Sequence, residues 1–250
     1  MTNIQKHMLA TFLSLRIGVG LVGIVFPLLL FAGGEVTKVH LAGSMSAYYH
    51  ATRDCIDPRA KNPVPGCLIR PLPTGAGPMR NWFVGILFAV GICLYLIKGF
   101  SDWENALLTA AGVLAVCVAL CPMPWSVQNA TGLPIHYISA VTFFACIAFV
   151  CLFCSDKTLK YMPAIPNREK IIAQYKLCYR TLAFLMILSP ITAYIVNEWL
   201  GQSSWLFFAE AFGIEAFGAY WLLKTKELSL SGVERRSLKG ELDMDTSTLR

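Results

Sequence analysis

The run IHYISAVTFFACIAFVCLFC, residues 135–154, decides how the rest of the chain is read. It carries no Asp, Glu, Lys or Arg, and its length is what an α-helix needs to cross a hydrocarbon core of about 30 Å. Lipid offers the backbone no hydrogen-bond partner, so such a segment is helical. Working outward, further apolar stretches lie at residues 9–32, 82–97, 105–121, 182–196 and 204–223. Composition agrees, with 56% hydrophobic and 14% charged residues in 250; a soluble domain carries roughly 25% charged. The expected fold is an all-α polytopic membrane bundle of about six helices. It occupies residues 1–226, with an outward-facing loop at 33–81 and a mobile cytoplasmic tail at 227–250.

Basic residues in the connections orient the bundle. Lys157, Lys160, Arg168, Lys170, Lys176 and Arg180 follow the fourth span, and Lys224, Lys226, Arg235, Arg236, Lys239 and Arg250 follow the sixth. The connections after the third and fifth spans are almost free of charge. The positive-inside rule places the fourth connection and both termini in the cytoplasm. The 33–81 loop holds six basic residues and conflicts on a raw count; long segments translocate with less regard to charge. The net charge of +6 thus follows from topology and calls for no nucleic-acid partner.

Nine cysteines resemble a redox or metal signal until they are placed. Most fall in or beside apolar spans, where cysteine is a small hydrophobe. Cys151 and Cys154 form a C-x-x-C without a second pair, a weak signal. Cys55 and Cys67 bracket a Pro- and Gly-rich stretch of the outer loop, and an oxidising compartment would close them into a disulfide. The alternative is two free thiols. Gly18-Val-Gly20-Leu-Val-Gly23 matches a dinucleotide fingerprint in letters only; inside an apolar helix its glycines allow close helix contact.

Ionisable groups inside spans are costly and therefore informative. Matching depths predict a structural ion pair between Arg16 and Glu215. Glu210, five residues before Glu215, faces elsewhere. The outer side carries the richest polar set: Ser46, Tyr49, His50 and Arg53 before the second span, Arg80 at its start, His136 at the start of the fourth, and Glu210 in the sixth. If helical, Ser46 and His50 share a face. Each residue alone reads as an interfacial polar anchor; together they predict a ligand site. His50, His136 and Glu210 form a candidate metal set, with zinc the fitting ion.

Ser44-Met-Ser-Ala-Tyr-Tyr-His50, Met79-Arg-Asn-Trp-Phe-Val-Gly85, Lys98-Gly-Phe100 with Asp102, and His136-Tyr137 with Phe143-Phe144 resemble a bacterial membrane family known as domain of unknown function 998. That resemblance implies about six spans and a bacterial inner membrane, and no activity. Asn81 stands where the family has Asp, and the Cys55–Cys67 segment looks inserted. A more distant similarity, through Ser46 and His50, is to the membrane hydrolases that include alkaline ceramidases and progestin/adiponectin-type receptors. The His-x-x-x-His element of that superfamily has no counterpart here, where His136 is solitary.

Three functions fit these expectations. One is binding or moving a small polar or lipid ligand at the outer pocket. Another is metal-assisted hydrolysis at the same place, and the third is a structural role beside a membrane-protein partner. A bis-His haem between His50 and His136 is a more remote fourth.

Overall fold

The computed structural model describes residues 1–39, 41–51, 77–123, 135–200 and 205–242. These form α1 (Asn3–Val36), α2 (Arg80–Leu96), α3 (Asp102–Leu120), α4 (Ile135–Phe149), α5 (Arg168–Leu200), α6 (Trp205–Ser231) and α7 (Val233–Leu238). No strand occurs among the described residues. Five helices are long and apolar enough to cross a membrane; α2 is a shorter apolar helix of 17 residues, about 25 Å long. The chain is an all-α polytopic membrane bundle, with α1 to α6 matching the six apolar stretches of the sequence. Cys55, Cys67, Arg53 and the tail at 243–250 lie outside the described residues, and no disulfide joins the cysteines within them.

Side-chain caps set the ends of several helices. Thr2 and Gln5 bond reciprocally across the first turn of α1, satisfying two otherwise orphaned backbone N–H groups. Ser101 caps α3, and the Glu104 carboxylate reaches back to the Phe100 N–H at 2.8 Å. The sequence pattern that runs through α4 does not end in a clean helix terminus. One π turn, Val150–Cys154, leads into a 3-10 turn, Ser155–Tyr161.

Successive helices pack side by side, and α6 closes against α1. Between helices in lipid no hydrophobic force operates, so close backbone approach and dispersion supply the attraction. A Cβ on Gly218 of α6 would lie 2.7 Å from the Gly20 carbonyl oxygen of α1, which explains Gly20 and Gly23 of the false dinucleotide motif. Gly91 of α2 and Gly112 of α3 meet in the same way. Leu94, Leu108, Ile147, Ala183 and Tyr220 fill the interior, whereas Leu21, Leu28, Phe149, Phe184 and Ile191 face outward. Apolar groups on both faces are what a bilayer solvent requires.

Both described chain ends lie at one end of the bundle, called here the terminal end. The opposite, loop end carries residues 37–39 and 41–51. The mobile tail expected from residue 227 is corrected at this terminal end. Helix α6 runs eight residues past Leu223, to Ser231, with Glu227 fully buried. Gly232, at φ 61°, then turns the chain so that α7 folds back. There the Gln5 amide donates to the Leu238 carbonyl, and Arg236 donates to the carbonyls of Tyr161 and Ser231.

This return corrects the expected Arg16–Glu215 pair as well. Arg16 makes a bidentate bond at 2.7 Å to both carboxylate oxygens of Glu234, in α7. The depth comparison ended α6 at Leu223. With the helix continuing, Glu215 lies only ten residues from the loop end of α6, about 15 Å, while Arg16 is twenty residues from that end of α1, about 30 Å.

Candidate functional site

At the loop end, residues 41–51 do not form the helix that would place Ser46 and His50 on one face. Tyr48 is driven into the core: it has no exposed surface, lies against Gly34 of α1, and packs its ring 5.9 Å from Phe207 of α6. With Tyr48 anchored, the chain makes one 3-10 turn, Ser46–Tyr49, and its polar groups radiate to different helices.

The carboxylate of Glu210 caps this turn. It accepts from the Ser44 hydroxyl at 2.9 Å and from the Met45 N–H at 2.7 Å. A carboxylate at the start of a helical turn satisfies orphaned donors and opposes the local dipole. Ser44 in turn accepts from the Ser46 N–H at 3.1 Å. On the other side, Ser46 Oγ lies 2.9 Å from His136 Nε2, and His136 Nδ1 lies 2.9 Å from the Cys121 carbonyl. A carbonyl only accepts, so Nδ1 carries the proton and Nε2 accepts from the Ser46 hydroxyl. One continuous line of hydrogen bonds therefore runs from α6 through the turn to α4.

A second branch faces α2. The Arg80 guanidinium sits 4.8 Å over the Tyr49 ring, and Tyr49 meets the His50 ring edge-on at 4.7 Å. His50 Nε2 lies 3.2 Å from the Met123 carbonyl. Burial lowers the His50 pKa from 6.5; the Met123 contact opposes this, and the charges of Arg80 and His136 add to it. Arg80 has no carboxylate partner among the described residues. In the first turns of α2, Asn81, Trp82, Gly85 and Ile86 line an open groove of about 250 Å³, with Trp82 exposed.

Six of the residues singled out from sequence, namely Ser46, Tyr49, His50, Arg80, His136 and Glu210, thus gather at one end of the bundle. Ser44 belongs with them and went unremarked as a partner; so did the Cys121 and Met123 carbonyls, which no side-chain motif marks. The proposed metal set does not hold. No three His, Cys, Asp or Glu side chains converge as metal ligands among the described residues. Both ring nitrogens of His136 are engaged, and the Glu210 oxygens face the turn. The same engagement of His136 removes it as a haem ligand.

A further cluster lies at the terminal end, where the sequence reading saw only linker and tail. Lys224 and Glu227 are buried with Ser155, Thr158, Tyr179 and Tyr220. Tyr220, Lys224 and Glu227 fall at i, i+4 and i+7, a helical spacing that marks one face. That spacing was the available signal.

The architecture and the loop-end cluster define an integral membrane helix bundle with a polar site at one end. Comparison with protein-family models, curated proteins and solved structures finds no match to this chain.

Proposed function

We propose that the protein is a membrane receptor or carrier for an anionic amphiphile. Arg80 and its Tyr49–His50 support would hold the headgroup, and the groove along α2 would hold the start of the chain. The observation that carries this reading is the Arg80 guanidinium. It is stacked on an aromatic ring, without a carboxylate partner among the described residues, at the start of the helix that carries an open, largely apolar groove. Such a guanidinium is suited to phosphate or carboxylate oxygens. Glu210, tied to the turn, organises the site. The distribution of Lys and Arg supports a loop end outside and a terminal end in the cytoplasm, and the resemblance to domain of unknown function 998 supports a bacterial inner membrane.

The test is native mass spectrometry of the purified protein with phosphatidylglycerol and phosphatidylcholine offered together. Retention of the anionic lipid, and loss of that preference in Arg80→Gln, is the expected result. Equal retention of both lipids by the unaltered protein would end the proposal.

A second reading is favoured by the Ser46–His136 pair. Its tautomer suits Ser46 as a nucleophile: Ser46 Oγ would attack an acyl carbon while His136 Nε2 takes the hydroxyl proton and passes it to the leaving group. Water would then hydrolyse the acyl-serine. A fluorophosphonate probe that labels Ser46, and fails to label His136→Gln, would favour this reading; absence of labelling would remove it.

A further inference from the structure

The terminal-end cluster is built around one ammonium and one carboxylate, both sealed from solvent. Lys224 Nζ donates at 2.8 Å to the Ser155 carbonyl, at 2.6 Å to Thr158 Oγ1 and at 2.7 Å to Glu227 Oε2. Its three N–H groups are thereby used, and it also lies 5.5 Å over the Tyr179 ring. Glu227 is solvated unevenly. Oε2 takes bonds from Lys224, from Thr158 at 2.9 Å and from Tyr179 at 3.2 Å, whereas buried Oε1 has no hydrogen-bond partner. Ionisable groups buried within a membrane helix bundle are candidates for a functional site.

The π turn contributes to the arrangement. It carries the chain from α4 into the 3-10 turn that presents the Ser155 carbonyl and the Thr158 hydroxyl to Lys224. Such turns are rare and concentrate at functional positions. The cover over the cluster is thin, because Lys157 and Lys160, flanking Thr158, are exposed.

We infer that the Lys224–Glu227 cluster is a proton-binding site, with Glu227 Oε1 the atom that takes the proton from the terminal side. Oε2 is saturated by donors, which leaves Oε1. Proton binding changes the charge of the pair from zero to +1 and breaks no other bond. Lys224 is not stranded when the carboxylate is neutralised, since the Ser155 carbonyl, Thr158 Oγ1 and the Tyr179 ring still hold it. The other titratable groups around the site are Tyr220 on α6, Tyr175 and Tyr179 on α5, Cys151 and Cys154 from the π turn, and Glu104 from α3. None of these is a carboxyl bonded to Lys224.

Infrared difference spectroscopy of the full chain in liposomes, from neutral to acidic pH, reads this proton directly. A carboxylic C=O band that grows on acidification and is absent in Glu227→Gln is expected. Tyr179→Phe keeps the ring and removes one donor to Oε2, the carbonyl oxygen of the protonated form, so the band should move to higher wavenumber. This second variant also keeps the test open if Glu227→Gln does not fold. A spectrum with no such band, or a band that neither substitution alters, overturns the assignment. The outcome is independent of lipid retention at Arg80.

Discussion

Two of the glutamates on helix α6, Glu210 near the loop end and Glu227 near the terminal end, have surroundings that differ in kind. Glu210 is half-buried and is met by neutral donors from a short turn, Ser44 Oγ and the Met45 N–H. Glu227 is wholly buried and is met by an ammonium and two hydroxyls from three separate elements. The first arrangement holds a loop in place and leaves neighbouring groups, Arg80 among them, open to a ligand. The second holds a charge pair out of water, where loss of the ammonium strands the carboxylate. Embedded carboxylates of the same helix thus serve a cap in one case and an ion pair in the other.

The sharpest way to break this contrast is Lys224→Met. It leaves the Glu227 carboxylate without its cation and should cost about 3–5 kcal/mol. The paired change Lys224→Met with Glu227→Met should recover most of that loss, measured by denaturant unfolding in detergent. If the double variant is no more stable than the single, the pair is not the source of the cost.

Next in size is the Arg16–Glu234 bond that fastens α7. Glu234→Gln should cost about 2 kcal/mol, because Arg16 stays buried with a weaker partner. It should also raise hydrogen exchange across residues 233–238. Glu215→Gln should change stability by no more than about 0.5 kcal/mol; a larger loss would revive the depth-matched pair.

At the loop end, Glu210→Gln retains one carbonyl acceptor and should cost about 1–2 kcal/mol, felt locally. Exchange at residues 44–48 should rise while the terminal end stays protected. Loss of protection at both ends would erase the distinction between the two glutamates.

The smallest effect expected is pH-linked. Because the folded environment lowers the His50 pKa, the folded state binds this proton less readily than the unfolded chain. The contribution of neutral His50 is therefore intact at higher pH and declines as pH falls below about 6.5. Exchange of residues 37–51 should increase modestly over that window, and His50→Gln should flatten the response. An unchanged response in His50→Gln assigns it to another group.

The bundle itself was legible because lipid imposes it: each span must satisfy its own backbone and present apolar side chains outward, and both demands are written in local composition. The gathering of Ser46, His136, Arg80 and Glu210 was also readable, since topology sorts residues to one end or the other. Their actual partners were not. Tyr48 entering the core decides which way Ser46 and His50 point, and backbone carbonyls at Cys121 and Met123 leave no mark in sequence.

The terminal end shows the limit more plainly. Hydropathy stops counting at Leu223 because Lys224 and Glu227 look like water-seeking residues. Only the folded chain brings Thr158, Ser155 and Tyr179 around them, so that two costly charges satisfy each other and the helix continues. The amino-acid sequence by itself determined that this protein is a helical membrane bundle, where its six apolar helices lie, and which polar residues share an end. Tertiary structure alone decided that Arg16 meets Glu234, that Ser46 meets His136, and that Lys224 and Glu227 are buried. Solvation by lipid acts on each segment separately, whereas hydrogen bonds and ion pairs depend on groups brought from distant parts of the chain.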